Sequence, residues 1–374
     1  MWRQVARPPR TTAAFRRRAH ARALAGSRMA VPVAAALAAA QAGSIGIGFS
    51  GGGFLIPFFM GVIDMLYRQL GVMEYGNPVA GASSGSIVAF VANGATSFDK
   101  MMKEIDYLSE FCASNGNCYG TLQAEVVRVA ERLLARDVAK RTNAHGATSL
   151  AITYPAPFGA APAALKLVDD FKDRDDLIAA IASSVYIPLW GGPRLVTKFR
   201  GEMVYDGSLQ GSSASLLPCP PGVRYCVRVS AYPPGVSVGS FLLNDVLLGG
   251  APSKARLLGV AGGTLLSPAL PAHLANAAGA YAAADAASAA SEPGQLAQLV
   301  KAAAQIVTPG EEGADIFPGR RHKLPFPRDA WVLAMLRPQD AEGRKKMFEL
   351  GRAEALSWAQ EAGFAAAKAY KQRA

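Results

Sequence analysis

Histidine is scarce in this chain, with 4 in 374 residues, and charged residues make up only 18% of it. The shortage of histidine narrows the chemistry first, because imidazole is the commonest metal ligand and the usual acid or base near neutral pH. His20 lies in an arginine-rich leader, while His145, His273 and His322 fall in segments that read as loop or low-complexity sequence, so each reads as a surface residue. The 4 cysteines, Cys112, Cys118, Cys219 and Cys226, form two close pairs without the CxxC spacing of a zinc site. No metal is expected, and the cysteines are read as free thiols, with disulfide pairing as the alternative. Beyond the leader no stretch offers the 18 or more consecutive apolar residues of a transmembrane helix, which leaves a protein in solution or lying on a membrane surface as the expectation. Low charge combined with 51% hydrophobic residues excludes a disordered tail and calls for a packed core. The length corresponds to about two or three structural units, or one large core.

Acidic residues are absent from residues 1–43, which hold eight arginines: Arg3, Arg7, Arg10, Arg16, Arg17, Arg18, Arg22 and Arg28. Those eight leave only +3 of the formal net charge of +11 for the rest of the chain. A nucleic-acid footprint needs a basic stripe on the folded part. The one local candidate, Arg320-Arg321-His322-Lys323, reads as a solvated face, so no nucleic-acid partner is expected. The leader has the composition of an organelle transit peptide, for plastid or mitochondrion. Its Met29–Ala42 stretch, ending Ala40-Gln41-Ala42-Gly43, also fits a secretory signal with a small-residue cleavage site. A third reading is a start at Met29 or an uncleaved arm, with the protein in the cytoplasm or on lipid droplets.

From Ser44 the pattern becomes alternating. Ile45, Ile47 and Phe49 face one way and Gly46 and Gly48 the other, as in a strand, and the loop Ser50-Gly51-Gly52-Gly53 follows. A helical pattern then runs from Phe54 to about Leu70, with an Asp64–Arg68 pair at i,i+4. A short apolar strand at Val79-Ala80 leads into Gly81-Ala82-Ser83-Ser84-Gly85, and a second helix runs to about Asn93. A unit of this length implies parallel strands. Helix is expected over 99–140 and Arg174–Ser183, and strands at Leu150–Tyr154 and Arg224–Ser230. A hairpin is expected with arms Leu195–Phe199 and Met203–Tyr205. Residues 272–290, with 12 alanines in 19 positions, read as a linker. Asp340 to about Lys371 reads as a terminal helix interrupted near Gly351.

Gly81-Ala82-Ser83-Ser84-Gly85 fits GxSxG, in which a sharp strand-to-helix turn exposes a serine hydroxyl above a helix N-terminus. The pentapeptide alone is a weak match, and the strand before it and helix after it give it weight. Gly51, Gly52 and Gly53 lie one βα unit earlier, so their backbone N–H groups should emerge at the same sheet edge, where they could bind a phosphate or an oxyanion. No Lys-Ser/Thr pair follows the loop and GxGxxG is not in frame, which disfavours nucleotide binding. With histidine so scarce, the better base is Asp206, at a strand end and followed by Gly207, which lets the backbone turn away.

Together, Ser50-Gly51-Gly52-Gly53, Gly81-Ala82-Ser83-Ser84-Gly85 and Asp206-Gly207 resemble a patatin-like phospholipase domain. Ala182-Ser183-Ser184-Val185-Tyr186-Ile187-Pro188 and Phe348-Glu349-Leu350-Gly351 resemble further segments of that family. The resemblance implies an α/β fold, a three-layer α/β/α sandwich around a mainly parallel sheet, with a leader at 1–43, a catalytic domain at 44–232 and a helical extension at 233–374. It also implies a Ser83/Asp206 dyad, with the Gly51–Gly53 amides as oxyanion hole and Gly81 and Gly85 shaping the nucleophile elbow. The resemblance further implies cleavage of acyl esters of glycerolipids without metal or other cofactor, with a membrane or lipid-droplet surface as the expected partner. Ser208 departs from the family's usual Asp-Gly-Gly or Asp-Gly-Ala. Phe54-Leu55-Ile56-Pro57-Phe58-Phe59 stands where many members carry an arginine, which is more like the adipose triglyceride lipase branch. That run and Phe241-Leu242-Leu243 are expected to border the cleft. Two alternatives stay open: a Ser–Asp–His hydrolase using Ser83 with His322 or His273, and a catalytically inactive lipid-binding scaffold of the same fold.

Overall fold

The computed structural model describes residues 34–144, 148–155, 163–210, 216–239 and 313–367. The patch Phe241-Leu242-Leu243, the Ala-rich stretch 272–290, His20, His145 and His273 lie outside these residues. Helix α1 (Ala34–Gln41), within the stretch read as leader, lies against the sheet with Ala36 and Ala39 buried. Strand β1 (Ile45–Phe49) follows, then a 3-10 turn at Gly53–Leu55 and helix α2 (Ile56–Ile63), which runs on as a π-helical stretch over Asp64–Gln69. Strand β2 (Val79–Ala82) leads into α3 (Ser84–Ala92). Helices α4 (Phe98–Ser114), α5 (Leu122–Leu133) and α6 (Val138–Ala144) precede strands β3 (Thr148–Tyr154) and β4 (Ala164–Val168). Helix α7 (Arg174–Ser184), the hairpin β5 (Thr197–Phe199) and β6 (Glu202–Asp206), and strand β7 (Tyr225–Val229) come next. Helices α8 (Arg328–Leu333) and α9 (Ala341–Glu361) complete the described elements.

The strands form one sheet in the order β5-β6-β3-β2-β1-β7, with β4 also paired to β3. β7, β1, β2 and β3 run parallel, and β4 and β6 run antiparallel to β3. This is the helix-flanked, mostly parallel α/β architecture expected from the sequence. β1, β2 and β3 are buried along their whole length, as parallel strands covered on both faces must be. The β5–β6 turn carries positive φ at Arg200 (50°) and Gly201 (83°), the twist-matched geometry of a two-residue hairpin.

The interruption expected near Gly351 does not occur, and α9 passes through it unbroken. Gly351 instead faces the Phe58 carbonyl and Gly61 faces the Phe348 carbonyl, each so closely that a Cβ would overlap the oxygen. The two glycines let α2 and α9 cross in backbone contact, which is a packing reason for glycine in a helix rather than a breaking one. Asp64 extends the crossing, pairing with Arg68 (3.3 Å) on its own helix and with Arg352 (3.1 Å) on α9. Since the obstructing atoms are backbone, Gly351→Ala should cost about 1–3 kcal/mol of stability, read as a lower denaturant midpoint at unchanged slope.

The free-thiol reading is corrected: Cys112 pairs with Cys118 and Cys219 with Cys226. Turns bring the Cα atoms to 4.8 Å and 6.0 Å, separations that a disulfide spans.

Candidate active site

The glycine loop is held from both sides. Ser50 N–H donates to the Val229 carbonyl (2.9 Å), and Ser50 Oγ donates to the Gly51 carbonyl (2.7 Å) while accepting from Ala231 N–H (3.0 Å). These bonds tie the end of β1 to the end of β7. Gly53 has φ +51°, and a Cβ there would overlap the Met335 carbonyl, which accepts the Phe54 N–H at 3.0 Å. A Cβ on Gly51 would overlap Ser208 Oγ and lie 3.2 Å from Ser83 Cβ, so this glycine sits directly against the serine elbow. The N–H groups of Gly51, Gly52 and Gly53 donate to no acceptor among the described residues.

Ser83 links β2 to α3 with φ 52° and ψ −127°, a backbone state that costs a non-glycine residue about 1–3 kcal/mol and is kept only where its surroundings enforce it. The enforcing contacts are visible. A Cβ on Gly85 would lie 2.5 Å from the carbonyl oxygens of both Phe49 and Ser50, and one on Gly81 would overlap the Gly85 carbonyl. Ser83 N–H donates to Ser184 Oγ (3.1 Å); Ser184 Oγ donates to the Ala151 carbonyl (2.7 Å) and pairs with Ser86 Oγ (2.6 Å). Ser184, at the C-terminal end of α7, is therefore a positioning residue that holds the elbow to β3. The sequence reading noted the segment without finding this role, because the partner is 101 residues away.

Sheet register brings Asp206 to the serine. Ala82 lies opposite Ala151, so Ser83 follows at the level of Ile152, and Ile152 lies opposite Asp206 on the other side of β3. Gly207 then turns the chain against the Ala151 carbonyl, so closely that a Cβ would overlap the oxygen. Asp206 is 1% exposed. Burial pushes its carboxyl up from the ordinary 3.8 to about 6, while the Ser83 hydroxyl and the amide and hydroxyl of Ser208 hold it back. Oδ1 accepts the Ser208 N–H at 2.8 Å, and Oδ2 has no partner at full hydrogen-bond geometry among the described residues. Catalytic hydrogen bonds are often loose before substrate binds.

From Ser83 an apolar cavity extends between α4, α5 and α7. Phe54, Ile87, Ile105, Val126, Val185 and Trp190 are among its walls. On α5 the lining residues Leu122, Val126, Val129, Ala130 and Leu133 form one face, a wall about 17 Å long at 1.5 Å per residue. Glu104 is the one charged residue among the described lining residues, and Arg132 grips it with three hydrogen bonds. The turn between α4 and α5 is fixed by the Cys112–Cys118 disulfide and by Trp190 Nε1, which donates to the Asn117 carbonyl at 3.0 Å.

His322 is exposed, with Nε2 bonded to Ser357 Oγ (3.0 Å), and does not line the cavity. Its neighbours Arg320 and Arg321 both pair with Glu361 (2.6 Å each), which neutralises part of the basic cluster. No group of three or more metal-ligating side chains occurs among the described residues, and none of their helices is long and apolar enough to cross a membrane.

Ser83 at a strained turn and the buried Asp206 thus meet the glycine loop at the head of an apolar cavity. Residues 48–213 match the family model described as patatin-like phospholipase. No curated protein matches the chain.

Proposed function

We propose that the chain hydrolyses long-chain acyl esters of glycerolipids through a Ser83/Asp206 dyad. The observation that carries this reading is that Ser83 stands beside the buried Asp206 at the head of an apolar cavity. Its α5 wall, about 17 Å long, compares with half of a hydrocarbon core about 30 Å thick, the depth of one acyl chain. Ser83 Oγ attacks the ester carbonyl as Asp206 takes its proton. Charge on the carbonyl oxygen is met by the amides of Gly51, Gly52 and Gly53. Asp206 returns the proton to the leaving alcohol, and water activated by the same carboxylate releases the fatty acid. An acceptor alcohol in place of water would make the step a transacylation. No step in this mechanism uses a metal.

Phe54–Phe59 carries no arginine after the glycine loop and is buried throughout, with Phe54 and Ile56 lining the cavity. The missing arginine supports neutral glycerolipids, as in the adipose triglyceride lipase branch, and the apolar cavity at Ser83 supports a substrate drawn from a membrane or lipid-droplet surface. For localisation, the arginine-rich leader supports import into a plastid or mitochondrion. The two disulfides favour the secretory alternative, since such bonds persist in oxidising compartments. Fatty-acid release from triacylglycerol, phospholipid and galactolipid, with Ser83→Ala as control, tests the reading. Release from triacylglycerol above the other two is expected, and equal release by wild type and Ser83→Ala would overturn the assignment.

A further inference from the structure

Of the polar residues lining the cavity outside the mechanism, Ser84, Glu104 and Ser109, Ser84 is the one that adjoins Ser83. Ser84, the first residue of α3, is 4% exposed and lines the cavity, and its Oγ has no hydrogen-bond partner among the described residues. Buried hydroxyls nearly always find a partner. The usual helical solution, a bond to the carbonyl four residues back, is closed here because that residue, Ala80, belongs to β2. The hydroxyl instead faces the glycine loop: Ser84 Oγ lies 3.3 Å from the point a Cβ on Gly52 would occupy. Gly52 is thus next to Ser84, and Gly51 is next to Ser83, 3.2 Å from its Cβ by the same measure.

Resting on the Ser83 reading above, we propose that Ser84 Oγ–H is a further donor to the oxyanion, acting with the amides of the Gly51–Gly53 loop. Ser84 is then a catalytic residue, touching the oxygen on which negative charge develops. Its hydroxyl is tied to no acceptor among the described residues, so it can turn toward that oxygen without breaking a bond to any of them. The interaction strengthens as the carbonyl becomes an oxyanion, so it belongs to the transition state more than to the bound ester. Its loss should therefore appear in kcat rather than KM.

The test compares wild type, Ser84→Ala and Ser84→Thr on one soluble long-chain ester, with thermal melts as the check on folding. Ser84→Ala should lower kcat by about 10- to 100-fold, somewhat less than the loss of one fixed oxyanion donor, with KM nearly unchanged. Ser84→Thr keeps the hydroxyl and should recover most of the rate. The rate at which an aryl alkylphosphonate forms its adduct on Ser83, followed by intact mass, should fall in parallel. A normal kcat in Ser84→Ala, a change confined to KM, or a Ser84→Thr variant as slow as Ser84→Ala would each overturn the role of Ser84 while leaving Ser83 in place. Wild-type protein with neither turnover nor adduct, or Ser83→Ala with full turnover, would instead remove the Ser83 reading and the role of Ser84 with it.

Discussion

Asp206→Asn should melt at a higher temperature than the wild-type protein and have no measurable esterase activity. The two results have one cause. Burial lifts the Asp206 carboxyl to about 6, so between the ordinary carboxylate range and that value the folded chain holds a proton that the unfolded chain has released. Stability then falls as pH rises across this window. A shift from 3.8 to about 6 corresponds to about 3 kcal/mol, all of it lost once pH exceeds the folded value. Asparagine has no charge to bury and can keep the bond from Ser208 N–H through its own Oδ1, so at neutral pH the variant should recover most of that energy. It cannot accept the Ser83 proton. Denaturant melts at pH 4 and pH 8 check the claim: wild type and Asp206→Asn should be nearly equal at pH 4 and diverge at pH 8, and equal stability at both values would refute it. For wild type, kcat should rise with pH through about 6 as the base loses its proton.

Ser83→Ala should lose about 10⁴-fold or more in turnover with the fold intact. Ser83→Gly should be equally inactive yet more stable than Ser83→Ala. Alanine inherits the positive φ of 52° at this position, whereas glycine adopts it without steric penalty. Set against the extra backbone freedom that glycine loses on folding, the net advantage is about 1 kcal/mol. Paired melts of the two variants measure it. A Ser83→Gly protein less stable than Ser83→Ala would mean that the elbow is not under strain.

The strand, glycine loop and helix at 45–69 were legible because they depend on local pattern: alternation, then glycines, then a continuous apolar run. The place of Asp206 was legible for a similar reason, as a carboxylate at a strand end before glycine. What escaped the sequence reading involves partners distant along the chain. Ser184 looked like one serine of a small-residue segment, and its work at Ser83 depends on α7 ending beside β3. Gly351 has the composition of a helix break, and only the Phe58 carbonyl opposite it explains why the helix continues. Strand β4, with its outward Lys166 and half-buried neighbours, lies at a branch of the sheet, where burial leaves little hydrophobic signature. The cysteines were misread because close spacing in sequence says nothing of whether a turn brings two thiols face to face.

The carbonyl of Met335 has a consequence beyond its hydrogen bond. It lies more than 100 residues past the end of the family match, yet it receives the Phe54 N–H and closes the space beside Gly53, while α9 covers the helix that follows the loop. A fragment cut at the family boundary would retain every reacting group but lose the wall that holds the amides in place. The groups of the proposed mechanism lie in one stretch of the chain and the backing of their loop in another, so the proposed activity would depend on the tail as much as on the serine.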